Sequence, residues 1–264
     1  SARKARMVKS HKTMFKPLRL IRLRRPLPGS ATAAGGPADV GGPAQIGDAF
    51  PSSVDHRADN LEGPVKNQGG VGSCTAHSLS SALDNAAIRA GNLKPNDRNA
   101  MTSPLHVWSR YGLPNMGAAA DGNIAQPVAV YTNWPQSDRE ACMLFQGQGS
   151  YAQECGLAYG VKPGSWRSDS ALMAKYNKSQ SEGLYKISYI EKLKTEPPEM
   201  EEILGILASG ADIWAAFLID GSAWSNSKMK SAVMPDWSDY SGGHAVVISG
   251  YRDTPSGKQF LIHN

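Results

Sequence analysis

Cysteine is scarce in this chain of 264 residues: there are three, alongside six histidines. Three cysteines are too few for a disulfide-built scaffold. Neither a Cys-x-x-Cys nor a His-x-x-x-His pair occurs, so no metal site is expected. The glycine runs lack the lysine, or the strand–helix setting, of a phosphate-cradling loop or a dinucleotide fingerprint; no cofactor is expected. No apolar run reaches the roughly 20 residues that span a bilayer, which excludes a membrane partner by way of a spanning helix. Acid is missing where base is densest. Residues 1–25 hold ten Lys or Arg and no Asp or Glu, and no apolar segment follows them as in a secretory signal. The compartment is therefore left between the cytoplasm and export without a recognisable signal.

What is present divides into three parts. Residues 1–25 form a basic N-terminal arm, 26–46 a Gly/Ala/Pro-rich stretch of linker composition, and 47–264 one large body. Against the 10 basic residues of the arm, the rest of the chain carries 18 basic and 23 acidic, so an arm of +10 precedes a body of −5. The end of the arm, Leu18 to Arg24, partly alternates and suits an extended strand. Ser73–Ala90 is predicted helical and closed by Gly91, Pro104–Tyr111 is a second helix, and Ile124–Trp134 a third. Residues 135–183 are interrupted by glycine and proline and are expected to be irregular. Then the character changes. Tyr185–Ile190, Ile213–Ile219, His244–Tyr251 and Lys258–His263 are predicted strands around one helix, Glu199–Ser209, with a polar excursion over 221–241.

One stretch stands out: Gln68-Gly69-Gly70-Val71-Gly72-Ser73-Cys74-Thr75-Ala76-His77-Ser78. Here a glycine-rich turn runs into a helix, which places Cys74 at the helix N-terminus. Unsatisfied N–H groups and the positive end of the helix dipole favour an anion there, and the anionic thiolate is the nucleophile. Alone, such a cysteine is more often a small buried hydrophobe. Far downstream, Ser241-Gly242-Gly243-His244-Ala245 opens one apolar strand, and Gln259-Phe260-Leu261-Ile262-His263-Asn264 closes another. A thiolate needs a base and the base an orienting acceptor, which His244 and Asn264 could supply from neighbouring strands. His77 lies on the nucleophile's own helix, pointing back toward the Cys74 turn. His263 alternates away from Ile262. These two, with His11, His56 and His106, read as ordinary polar or core histidines.

Gln68 six residues before Cys74, the Gly72-Ser73-Cys74 core, Gly243-His244-Ala245 and Asn264, in that order, resemble the papain-like cysteine peptidases, in particular their bacterial branch. Pro51 to Arg57 ahead of Pro64-Val65-Lys66-Asn67-Gln68 fits the same pattern, which spans about Phe50 to Asn264. The resemblance implies an α+β, two-lobed fold: a helical lobe over about 74–183, and a β-rich, barrel-like lobe over about 184–264 joined by the segment 50–58. The active site would lie in the cleft between them. It implies a catalytic Cys74–His244–Asn264 triad acting through a thioester on a peptide or protein substrate. It further implies an oxyanion hole of the Gln68 amide and the Cys74 backbone N–H, and a substrate-binding edge at Gly242 and Gly243. A monomer is expected.

The chain departs from that pattern in three places. Thr75 stands in place of the usual Trp, Val71 in place of a bridging Cys, and His77 in place of an apolar aromatic. Cys142 and Cys155 are left either to pair or to stay reduced. The basic arm reads as a solvated tail, or as a regulatory arm lying across the acidic body and over the cleft, as peptidase pro-segments do. Its Arg19, Arg22, Arg24 and Arg25 are candidates for an anionic, phosphate-bearing ligand. Two other functions fit the same residues: a catalytically weak module that binds such a ligand through the arm, and a thiol acyltransferase that uses an amine in place of water.

Overall fold

The computed structural model describes residues 19–23, 50–69, 72–111, 128–130, 134, 137–145, 150–181, 185–194, 198–219 and 242–263. In chain order the elements are strands β1 (Arg19–Leu23) and β2 (Ser53–Asp55), then helices α1 (Cys74–Arg89), α2 (Pro104–Tyr111), α3 (Asp138–Leu144), α4 (Ser150–Tyr159) and α5 (Ser170–Ser181). Strand β3 (Ile187–Lys192), helix α6 (Met200–Ala208) and strands β4 (Ile213–Ile219), β5 (Gly242–Thr254) and β6 (Gly257–His263) complete the described chain. The helices of the first half and an antiparallel sheet, built mostly from the second half with β1 and β2 added from the first, make the two-lobed α+β arrangement that the resemblance implies.

The central helix α1 is rich in Ala, Leu and Ser and free of Gly and Pro, so it runs unbroken over 16 residues. It stops where Gly91 takes φ 71°, a left-handed conformation that glycine adopts without strain. The Gly91 N–H bonds Ile88 O and the Asn92 N–H bonds Ala87 O, both at 2.9 Å, which satisfies the last carbonyls. Ser103 caps α2 by accepting the His106 N–H at 3.2 Å, and Ser137 caps α3 by accepting the Glu140 N–H.

The sheet runs β2-β5-β4-β1-β3, with β6 also paired to β5. Its two faces bury different cores. Trp214 and Val247 join Leu79, Leu83, Trp108 and Phe145 on the α1 side. Ile213, Ala215 and Ile248 meet Ile203, Leu204 and Leu207 of α6 on the other, in keeping with the period of two along a strand. Each fully buried aliphatic side chain of this kind contributes roughly 1.5–3 kcal/mol. β5 shifts register between Ile248 and Gly250, and only glycine fits at the shift, because a Cβ on Gly250 would collide with the backbone of Val54 in β2.

Several expectations are corrected. The described residues between 135 and 183 form three α-helices rather than irregular chain. Their glycines mark ends, with Gly160 (φ 62°) directly after α4 and Gly164 (φ 80°) before a short 3-10 turn, while Gly156 sits inside α4. Within the expected third helix, Val128 and Val130 instead bridge to Tyr185 and Thr102, so tertiary pairing has overridden helix propensity there. The rest of that segment, apart from Trp134, lies outside the described residues, as does the excursion 221–241. The strand expected at Leu18–Arg24 is β1. It pairs with β3 from Arg19↔Lys192 to Leu23↔Ile187, and with β4 at Arg19↔Trp214. The arm thus enters the sheet itself.

Candidate active site

Cys74 is the first residue of α1, with Ser73 as the residue preceding the helix, and is half-buried. Cys142 of α3 and Cys155 of α4 form a disulfide, which leaves Cys74 as the free thiol among the three. That bridge ties together two helices that pack against the glycine turn leading into Cys74. Tyr151 of α4 packs on Gly72, where any Cβ would meet its ring at 2.5 Å. Burial, and after it the negative charges of Cys74 and Glu154, raise the Tyr151 phenol. Gly69, at φ 68°, lies against Asp138 of α3, whose carboxylate accepts the Tyr159 hydroxyl at 2.8 Å.

The loop before α1 carries Gln68, and buried polar ties hold it. Lys66 Nζ donates to Ser80 Oγ and Asp84 Oδ2, each at 2.5 Å, and to Thr102 O at 2.9 Å. Burial lowers the Lys66 ammonium, opposed by its pairing with Asp84. Asp84 Oδ1 in turn accepts the Thr102 backbone N–H and hydroxyl, at 2.8 and 2.9 Å. A buried ion pair is tolerable only when its remaining hydrogen-bonding capacity is used, as it is here. His77 Nε2 lies 3.1 Å from Asn67 O, and its Nδ1 3.1 Å from Ser73 Oγ. Behind the nucleophile, Trp214 Nε1 of β4 donates to Ser78 Oγ at 2.7 Å, which donates to Cys74 O at 2.8 Å. Sheet and helix are thereby joined at the residue carrying the thiol.

A cavity of about 390 Å³ opens here, lined among others by Gln68, Cys74, His77, Ser78, Ala245 and His263. Cys74 and Gln68 therefore meet at one site. From the sheet side the β5 residue that lines it is Ala245. His244 is the preceding residue, half-buried at the start of β5 and opposite Phe217 of β4. Gly242 and Gly243 open β5, and a Cβ on Gly243 would meet no atom within 4 Å. Asn264 lies outside the described residues, directly after the end of β6. Arg19 and Arg22 lie on β1, while Arg24 and Arg25 lie outside the described residues.

Two contributors were not singled out as functional from the sequence. His263 is buried on the cavity wall, with Nδ1 at 2.8 Å from Glu62 Oε2. His77 lines the same cavity, and burial lowers its imidazole to about 4, so it is neutral. Its spacing from Cys74 on one helix was the available signal. Among the described residues no group of three or more His, Cys, Asp or Glu is placed to hold a metal.

Neither a family model nor a curated protein sequence matches the chain. Solved structures do. Xylellain, a cysteine protease from Xylella fastidiosa, superposes with a TM-score of 0.51 at 19% identity, covering 77% of this chain and 71% of that one. The bromelain protease from Ananas comosus, in complex with the E64 inhibitor, gives 0.50 at 18%, over 80% of this chain and 81% of that one. A digestive procathepsin L 3 from the Tenebrio molitor larval midgut gives 0.53 at 17%, over 83% of this chain and 61% of its own. At such identities the likeness is one of fold.

Proposed function

We propose, for a chain that carries the papain-like two-lobed α+β fold, that it is a cysteine peptidase with Cys74 as nucleophile. The observation that carries this reading is the meeting of Cys74, at the first turn of α1, with Gln68 on one cavity, against β5, whose Ala245 lines that cavity next to His244.

The chemistry follows from the residue types. The Cys74 thiolate adds to the carbonyl carbon of a peptide bond, and the carbonyl electron pair moves onto oxygen. That oxyanion takes hydrogen bonds from the Gln68 side-chain amide and the Cys74 backbone N–H. His244, as imidazolium, gives its proton to the departing amine while the C–N bond breaks, leaving a thioester on Cys74. Water then attacks the thioester, His244 takes up its proton, and carboxylate product and thiolate are released. Asn264 accepts a ring N–H of His244 and fixes its orientation without adding charge. Gly243, with open space beside it, leaves room for the substrate backbone, and Gly242 precedes it at the strand start.

Labelling with an epoxysuccinyl thiol inhibitor at neutral pH, with mass mapping beside a fluorogenic dipeptide assay, tests the reading. Stoichiometric modification of Cys74 with matching loss of turnover is expected, and His244→Ala should leave less than about a thousandth of the rate. Gln68→Ala should raise the barrier by about 3–4 kcal/mol. A protein that turns over peptides with Cys74 replaced by Ala would refute the assignment.

A further inference from the structure

The surroundings of His77 lead one step beyond this assignment. Little apolar burial holds the loop that presents Gln68: Val65 is 64% exposed, and Asn67 and Gly69 are exposed as well. Its placement therefore depends on polar ties. One is Lys66, anchored to Ser80, Asp84 and Thr102. Another is the His77 ring, which reaches the residue just before Gln68 and the residue just before Cys74. Nε2 faces the Asn67 carbonyl and Nδ1 the Ser73 hydroxyl, each at 3.1 Å. Nδ1 also lies 3.1 Å from the Ser73 carbonyl, but that oxygen already accepts the His77 backbone N–H at 3.0 Å. The single proton of a neutral ring is therefore placed on Nε2, where it serves the Asn67 carbonyl, and Nδ1 accepts from the Ser73 hydroxyl. Asn67 meanwhile accepts the Gly69 N–H on its own side chain at 3.0 Å, which folds the turn around Gln68.

We propose that His77 is the positioning residue of the oxyanion hole: its neutral ring clamps the Asn67–Gln68 backbone to the first turn of α1, so that the Gln68 amide and the Cys74 N–H face one point. The proposal rests on the reading that Cys74 and Gln68 act on a carbonyl. An oxyanion donor works only within about 2.7–3.1 Å of where the charge develops, so a small release of this loop is felt in catalysis rather than in binding. An apolar residue at 77 would fill the space without making either bond.

The test compares His77→Phe, His77→Gln and Ser73→Ala, alone and on a Gln68→Ala background. For His77→Phe a fall in kcat of about tenfold or more is expected with KM within twofold. Affinity for a peptide aldehyde, whose thiol adduct places an oxyanion in the same hole, should fall by a similar factor. Alkylation of Cys74 by iodoacetamide, which forms no oxyanion, should keep its rate. His77→Gln offers an N–H to the Asn67 carbonyl and should recover most of the activity, and Ser73→Ala should lose less than His77→Phe. On the Gln68→Ala background the His77→Phe loss should largely vanish, because the donor being positioned is gone. Full additivity of the two losses, or alkylation falling in step with kcat, overturns the positioning role. If His77→Phe does not fold, the Ser73→Ala and His77→Gln pair decides on the same readouts. A wild-type protein whose Cys74 is alkylated without any turnover overturns the peptidase reading itself, whereas an active enzyme indifferent to position 77 overturns only the clamp.

Discussion

The two ends of α1 are both polar and both at least partly buried, yet they are held by different physics. At the Cys74 end the ties are mostly neutral: hydroxyls, carbonyls and the uncharged His77, backed by helices that a disulfide joins. At the Arg89 end the ties are charges. Asp212, from the turn between α6 and β4, lies 2.7 Å from His56 Nδ1 and 2.9 Å from Arg89, and accepts from Asn85 at 2.7 Å. The two histidines show the consequence. Burial alone would lower both, and it does lower His77 to about 4; the Asp212 carboxylate outweighs it at His56 and leaves that imidazole raised. Burial opposes the Asp212 charge as well, and Arg89, His56 and Asn85 together keep its carboxyl below the ordinary value. The reacting thiol is thus placed away from the Asp212 cluster, whose helix partners Asn85 and Arg89 lie about three to four turns further along α1.

The largest separation of the two ends should come from Asp212→Ala. Removing one partner of a buried ion cluster strands His56 and Arg89, at a cost of about 3–5 kcal/mol by urea unfolding. The rate of Cys74 alkylation per folded molecule should not change. Breaking the other end with Cys142→Ser should cost less, roughly 3 kcal/mol for a closed loop of this size, because 13 positions separate the two cysteines. Loosening the Tyr151–Gly72 wall, it should also slow turnover, which Asp212→Ala should not.

Smaller still, and opposite in sign at the two ends, is the response to pH. His77 is held at about 4 and His106 at about 3, against an ordinary 6.5. Their share of stability is present above pH 6.5 and is lost as pH falls toward those values, since the unfolded chain binds the proton first. His56 is raised, so its share is complete below pH 6.5 and is lost as pH rises through its folded value. Urea midpoints from pH 4.5 to 8.5 should therefore show an acid limb that flattens in His77→Gln and an alkaline limb that flattens in His56→Gln. If either variant left its limb untouched, the assignment of that end would be wrong.

Much of this architecture could be read from residue patterns. Pro104–Tyr111 and Ile213–Ile219 have the bounds that cap chemistry and an unbroken apolar run predict. Cys74 opens its helix because a glycine turn meets an Ala/Leu/Ser segment. What failed did so for tertiary reasons. Glycines in 135–183 read as breakers, but Gly160 and Gly164 occupy positive φ at element ends, while packing and the Cys142–Cys155 bridge support the helices around them. Val128 and Val130 pair with residues more than 25 positions away, a contact no local window contains. Partners decided the role of His77 in the same way. Its spacing from Cys74 is local, but the bond to Asn67 crosses from helix to loop and needs the folded chain.

The place of β1 in the sheet also bears on how the molecule is made. Its partner strand β3 follows more than 160 residues later. At ribosomal rates of about 5–20 residues per second, the Arg19–Leu23 segment waits roughly 8–30 s for the edge it will join. Through that interval an unpaired strand is exposed, and in such strands lysine and arginine hinder pairing with the wrong chain. Its arginines then guard the nascent polypeptide, and the sheet joins segments more than 160 positions apart in the chain.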